Sequence, residues 1–305
     1  MRKFFLFFSL LIFSVSLYAE PIEPLPLKAE YDEKIAALGK QLFFDPMLSK
    51  DGTISCATCH HLENGGDDNL KFSFGINGQE GVINSPTVYN AVYNFRQFWD
   101  GKAKDLQEQA IGPIENPIEM GNSFENLIKT LNASKYKKQF ELLYSEGITK
   151  ETITHAIAEY EKALTTPNAP FDQYLRGDKN AISDNQKEGY ALFKSKGCIS
   201  CHHGQNVGGN LYNKFGVIEN TKSADLGRYN VTKKDRDRYF FKVPSLRNVT
   251  KTSPYFHDGR TASLDEAVKM MARYQLGRPV SEEEVMKIVA FLSSLNGEIP
   301  LQAKR

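Results

Sequence analysis

The chain has 305 residues, 41% hydrophobic and 25% charged, a composition that excludes a fibre or a disordered tail and suits one large or two medium folded domains. Its 38 basic and 37 acidic side chains nearly cancel. That balance excludes the general attraction to nucleic acid or an anionic membrane that a strongly basic chain would carry.

Taken in chain order, the first element is a leader. Arg2 and Lys3 precede an apolar run from Phe4 to Leu17 and small residues ending at Ala19, the layout of a secretory signal. The run is shorter than the ~20 apolar residues of a spanning helix, and no later stretch is long and apolar enough. Residues 1–19 are therefore expected to be removed on export to the periplasm, leaving a mature chain with no membrane span and 36 basic against 37 acidic residues. In an oxidising compartment four cysteines would by default form two disulfides. Their neighbours argue otherwise.

A helical pattern, EYDEKIAALGKQLFF, leads into Cys56-Ala57-Thr58-Cys59-His60, and a second, NQKEGYALFKSKG, leads into Cys198-Ile199-Ser200-Cys201-His202. Cys-x-x-Cys-His is the spacing of covalent c-type haem: two thiols one turn apart each form a thioether with a haem vinyl group, and the adjacent imidazole reaches the iron. A paired zinc site would need the two halves roughly 15–20 residues apart, whereas 138 residues separate Cys59 from Cys198. A thioredoxin-like pair needs neither the histidine nor the duplicate. His61 and His203 follow the ligands, and on a helix a neighbour points about 100° away, so they belong beside the haem or at the surface.

Beyond each motif the chain repeats itself. PTVYN at 86–90 aligns with PSLRN at 244–248, and FWDGKAKDLQEQ at 98–109 with FHDGRTASLDEA at 256–267, both at an offset of 158. This predicts two related haem domains, 20–165 and 166–305, joined near the Pro-, Asn-, Asp- and Gly-rich stretch 165–186. Before the junction Ile153, Ile157, Tyr160 and Leu164 mark one face of a helix, with His155 off that face. Near the end Ser281 and Glu284 form a capping box for a helix with a stripe of Val285, Ile288, Val289, Leu292 and Leu295. Strand signals are scarce, so the expected fold class is mainly α, two cytochrome-c-like haem domains with long loops.

In DEAVKMMARYQLG, Met270 and Met271 both offer an axial thioether to the second iron, and methionine with histidine raises the potential and closes the sixth position. The counterpart of Met271 at the 158-residue offset is Pro113, which has no donor atom. One iron is thus expected closed and the other open to a small oxygen species. The loop around Pro113, QAIGPIENPIEMG, carries Gln109 and Glu119, an amide and a carboxyl suited to positioning peroxide and moving its proton. It also carries Met120, a competing ligand.

The stretches SCATCHH, INSPTVYNAVYNFRQFWDGKAKDLQEQAIGPIENPIEM, GCISCHH, KTSPYFHDGRTASLDEAV and ARYQLGRPVSEEEVMKIVAFLSSLNGEIP resemble those of the bacterial di-haem cytochrome c peroxidases, over essentially the whole mature chain. The resemblance implies reduction of hydrogen peroxide to two waters with two electrons from a small periplasmic donor, a monohaem cytochrome c or a cupredoxin. It implies a peroxidatic N-terminal haem, with Glu119 and Gln109 at the acid–base and peroxide-orienting positions. It implies a high-potential C-terminal haem held by His202 and, of the two methionines, Met271, with Trp99 between the haems and His257 near the second one. It implies a calcium ion held by Asn84 and the backbone carbonyls of Thr252 and Pro254, and a homodimer.

One departure matters. Many relatives carry, sixteen residues after the first haem histidine, a second histidine that blocks the peroxidatic iron until the other haem is reduced, and here Ile76 stands there. The expectation is a first haem free of that block in the oxidised state. Two rival readings are an oxidase like the di-haem enzyme that modifies tryptophans of a partner protein, which uses a tyrosine ligand and for which Tyr274 is the nearby candidate, and a plain di-haem electron carrier. Met271 disfavours the first and Pro113 the second.

Overall fold

The computed structural model describes residues 20–304; the leader, 1–19, lies outside them. Twelve α-helices, eight short 3₁₀ or π turns and one short strand pair make up the regular structure of the described residues. The N-terminal half holds α1 (Glu33–Phe44), α2 (Cys56–Cys59), α3 (Leu106–Gln109), α4 (Ile111–Glu115), α5 (Phe124–Asn132), α6 (Tyr136–Leu143) and α7 (Lys150–Ala163). The C-terminal half holds α8 (Pro170–Leu175), α9 (Asp184–Lys196), α10 (Tyr229–Thr232), α11 (Leu264–Met271) and α12 (Glu282–Ser293), with β1 (Tyr212–Lys214) antiparallel to β2 (Phe240–Lys242). The mainly helical, two-unit architecture is the one the repeat predicts.

Each half is organised by the helix before its haem motif crossing the last long helix of the unit. Asp32 caps α1 by accepting from the Lys34 and Ile35 amides, and Ser183 with Gln186 forms a capping box for α9. α1 lies against α7 and α9 against α12. The crossings need glycine: a Cβ on Gly39 would overlap the carbonyl of Ala156, and one on Gly189 the carbonyl of Lys287. Helix α7 buries Ile153, Ile157, Tyr160 and Leu164 as the periodicity predicts, while His155 stays half-exposed against the Tyr144 hydroxyl. In α12 the capping box of Ser281 and Glu284 is formed. Its buried set is Val285, Ile288, Phe291 and Leu292, with Leu295 beyond; Phe291 takes the inward place expected for Val289, because its ring stacks into Phe171, Tyr190 and Phe193.

The repeat is visible in the backbone itself. Asn90 and Asn248 share a left-handed φ of 60° and 59°, Phe98 and Phe256 share 67° and 72°, and the isolated bridges Gln97 to Ala103 and Tyr255 to Thr261 are the same turn twice. Both asparagines then converge: the Asn90 and Asn248 Nδ2 atoms each donate to Thr166 Oγ1 at 2.8 Å. The stretch 165–186 is accordingly no loose linker. Thr166, Phe171 and Asp172 are buried in it, and Asp172 makes a two-pronged ion pair with the fully buried Arg247, at 3.0 and 2.9 Å.

The ends of the described chain cross over. Ile22 sits in the C-terminal core with Phe171 and Phe193, and the Glu23 carbonyl accepts from Arg247 at 3.1 Å. Ala303 packs with Phe43 and Tyr160 of the N-terminal half, whose Tyr160 hydroxyl donates to the Gln302 carbonyl at 3.0 Å. Each half is therefore strapped by the terminus of the other.

Candidate haem sites and the cavity between them

At the first motif, Ser55 and Thr58 cap α2 reciprocally and set Cys56 and Cys59 one turn apart. The His60 amide closes the turn onto the Cys56 carbonyl at 3.0 Å. Its ring nitrogen Nδ1 lies 3.0 Å from the Gly66 carbonyl, a contact that fixes the tautomer and leaves Nε2 for a metal. Burial holds the His60 ring below its usual pKa, so it is neutral, as a ligand must be. None of the four cysteines is in a disulfide. Burial pushes the Cys56 thiol up, with Glu161 adding to it, and takes Cys59 to about 11.

Glu119 stands in the turn after α4, held by a hydrogen bond from Asn116 Nδ2 at 2.5 Å, and its carboxyl is raised by burial. Its carboxylate adds to the upward push on the Cys59 thiol, behind burial and Asp68. Glu119 is solvent-exposed on this turn. Gln109 ends helix α3, half-exposed; its backbone N–H donates to the Asp105 carbonyl, and no hydrogen bond reaches its side-chain amide among the described residues. Pro113 lies within α4. Met120 is buried in the core with Leu38, Leu42 and Ile114, where it serves packing.

Ile76 is buried, and its amide donates to the Glu119 carbonyl at 2.8 Å. Its loop is a closed turn: the Gly75 amide bonds the Gln79 carbonyl, the Gly81 amide bonds the Ser73 carbonyl, and Asn77 and Gly78 take left-handed φ values of 56° and 67°. A Cβ on Gly75 would overlap the Ile118 carbonyl. The segment thus backs the Glu119 turn instead of reaching over it.

At the second motif, Gly197, with φ 102°, ends α9 and turns the chain into Cys198. Here the thiols sit on a single 3₁₀ turn and not on a helix. Cys198, Cys201, His202 and Met271 line one cavity of about 440 Å³, walled by Phe193, Phe241, Val243, Leu246 and Ile288. Met270 and Tyr274 do not line it; the Tyr274 ring lies against Phe215, 6.4 Å between centroids. Met271 ends α11, directly before a π-turn over 272–276, an irregularity common at functional sites. His202 Nδ1 is buried with no hydrogen-bond partner of good geometry among the described residues, and burial lowers the ring to about 4.

The same cavity runs to the junction of the halves. Trp99 lines it, donating its indole N–H to the Asn84 carbonyl at 2.9 Å and lying 6.1 Å edge-on from the His257 ring. His257 in turn stacks on Phe241 at 4.2 Å and contacts the Ser223 hydroxyl at 2.9 Å. Asn84, Thr252 and Pro254 line it as well. Asn84 gives its Nδ2 to the Leu70 carbonyl, leaving Oδ1, and no hydrogen bond reaches the Thr252 or Pro254 carbonyls among the described residues.

Local pattern pointed to neither of two further groups in this cavity. Asp67 is 1% exposed with Oδ1 unpartnered, and burial takes its carboxyl to about 7. Lys242 is buried with no ion pair among the described residues, and burial lowers its amine to about 8. A buried unpaired charge of either sign signals an absent partner. The residues therefore fit haem at both motifs, with Lys242 suited to a haem carboxylate, and they fit an oxygen-ligated cation at the junction.

Residues 33–180 match the family model described as di-haem cytochrome c peroxidase, and residues 186–296 match that of cytochrome c. Cytochrome c551 peroxidase of Nitrosomonas europaea is 49% identical over 285 residues, covering 92% of this chain and 85% of the relative. The chain belongs to the di-haem cytochrome c peroxidases. This peroxidase is an oxidoreductase acting on peroxide, with a haem c site in each of its two domains. The methylamine utilization protein MauG of Methylorubrum extorquens is more distant, 35% identical over 87% of the peroxidase and 79% of that protein. In structure the peroxidase matches a MauG-like protein associated with microbial copper homeostasis with a TM-score of 0.78, at 24% identity and covering 94% and 96% of the two chains, a likeness of fold.

Proposed function

We propose that this peroxidase reduces hydrogen peroxide to two waters at the N-terminal haem, taking two electrons and two protons per turnover, with the electrons arriving through the C-terminal haem. The observation that carries the reading is the unlikeness of the two sites. Met271 and His202 line one cavity, while the matching position of the other site is Pro113, followed by a carboxyl raised by burial at Glu119.

Haem at Cys56, Cys59 and His60 supplies the iron that binds peroxide and passes it electrons. The chain's own residues manage the protons. Glu119, in its ionised form, takes the proton from the near oxygen of peroxide and returns it to the far one, turning a poor leaving group into water. Gln109, whose side-chain amide is unengaged, orients the bound peroxide. Trp99 bridges the halves between His257 and Asn84, a position suited to an electron relay. Asn84, Thr252 and Pro254 hold calcium, with the junction closing around it. The leader supports a periplasmic location, where a small cytochrome c or cupredoxin serves as donor. A homodimer is the assembly we assign, and sedimentation of the haem-loaded protein tests it.

Glu119→Gln is expected to lower kcat/KM for peroxide by about 10²–10⁴ with both haem spectra unchanged. Turnover within a few-fold of the parent would remove Glu119 from the mechanism. The role of Ile76 predicts an as-isolated, fully oxidised protein whose first haem is five-coordinate or water-bound and reacts with peroxide in stopped flow without prior reduction. A bis-histidine six-coordinate spectrum at that haem would refute it.

A further inference from the structure

The near-neutral total hides a division. Residues 20–165 carry 14 basic and 22 acidic side chains, a net of −8, whereas residues 166–305 carry 22 basic and 15 acidic, a net of +7. The molecule is thus a strong dipole with its positive end on the half that holds Met271 and His202.

The mouth of the second cavity can be located on that half. Val217, Leu276 and Arg278 line the cavity and also reach solvent, Val217 being 53% exposed. Ile218, 61% exposed, lies against Gly277. Asn213, inside the mouth, donates to Cys201 Sγ at 3.1 Å, so the rim stands next to a thioether-forming sulfur. Gln275 ties the rim together through the Gly216 amide at 2.5 Å and the Lys214 carbonyl at 3.0 Å.

Charge around this apolar lip is one-sided. The carboxylates flanking it in the chain are already paired, Glu219 with Arg273 at 2.5 Å, Glu284 with Lys196 at 2.6 Å, Glu282 with Lys269 at 2.8 Å and Glu283 with Lys287 at 2.7 Å. Lys214 and Arg278 have no carboxylate partner among the described residues, and Arg278 touches only the Ser195 and Lys196 carbonyls, at 3.3 and 3.4 Å. An exposed apolar centre flanked by two unpaired cations suits a transient partner with the opposite pattern.

We propose that Val217, Ile218 and Leu276, flanked by Lys214 and Arg278, form the docking face for a small redox protein whose own electron-transfer edge is ringed by carboxylates. The proposal rests on the reading that electrons arrive at the C-terminal haem. The dipole orients such a partner on approach, attracting it to the positive half and repelling it from the negative one. The apolar lip then sets the close contact through which an electron passes.

The test uses the haem-loaded protein, peroxide, and two reduced probes: a monohaem cytochrome c with an acidic haem-edge face, and the same cytochrome with those carboxylates changed to lysine. With the acidic probe, kcat/KM for the cytochrome is expected to fall about tenfold or more between 20 and 200 mM salt, and to exceed that of the lysine probe at low salt by a similar factor. Lys214→Glu with Arg278→Glu is expected to remove most of that advantage while leaving the KM for peroxide and both haem spectra unchanged. Lys138→Glu, an exposed change on α6 in the other half, should leave the rate as it was, which separates a local face from net charge. A rate that rises with salt, favours the lysine probe, or ignores the double charge reversal overturns the docking face. Absence of turnover with either cytochrome, in protein that oxidises a small-molecule reductant with peroxide, overturns instead the reading that a protein donor feeds the second haem.

Discussion

Glu161 is a carboxyl in an unusual place. It sits on α7, 4% exposed, near the Cys56 thiol, with no hydrogen bond to its oxygens among the described residues, and burial pushes it up to about 8. In the unfolded chain it titrates near ~4.3. Between those values the native state holds a proton that the unfolded state has lost, so stability falls as pH rises from about 4.5 to about 8 and is level above. Glu161→Gln removes that dependence. Thermal unfolding is expected to show the variant more stable than the parent by about 2 kcal/mol or more at pH 8 and little changed at pH 4.5. A difference that does not vary with pH would mean that Glu161 is ionised in the native protein. The residue scale is also where spacing was most informative: the histidine and cysteines of both motifs, the missing donor at Pro113 and the missing histidine at Ile76 are matters of which atoms a side chain owns. Glu161, Asp67 and Lys242 escaped notice because a buried charge looks like any charge until the fold encloses it.

Among elements, the two helix crossings dominate. α1 on α7 and α9 on α12 bring backbone against backbone at Gly39 and Gly189, where a single methyl group meets a carbonyl that cannot turn aside. Gly39→Ala is expected to destabilise the N-terminal half by about 3 kcal/mol, seen as an earlier shift of the first haem's absorption band in a denaturant titration. Survival of the parental midpoint would show that the helices can slide apart at no cost. The crossing helices were legible, because their amphipathic stripes and caps are local. The breaks were not: the stretch 109–121, read as a loop, holds the short helix α4, and the domain junction, 165–186, contains α8. Short helices are made by contacts across the chain and leave too few turns for a period to show.

At the scale of the whole molecule, the halves meet at Thr166, at the crossed termini and around the cavity shared by Trp99, Asn84, Thr252 and Pro254. Asn84 comes from one half and the two carbonyls from the other, so a cation there would be a cross-link between domains. Its removal should cost stability by mass action. Chelation is expected to lower the melting temperature of the haem-loaded protein by several degrees and calcium to restore it, while Asn84→Ala should melt low with or without calcium. A parent indifferent to both chelator and calcium would remove the ion from the junction.

The sequence alone determined the covalent chemistry: two haem attachments, a 158-residue repeat, and one site stripped of its methionine. These depend on residue identity at short fixed spacings, which no later folding can alter. Only the tertiary structure decided that Met271 lines the His202 cavity while Met270 does not, and that the buried Asp67 and Lys242 share that cavity with Asn84 and Thr252. Such neighbours are brought together by packing of distant segments, and distance along a chain carries no mark of nearness in space.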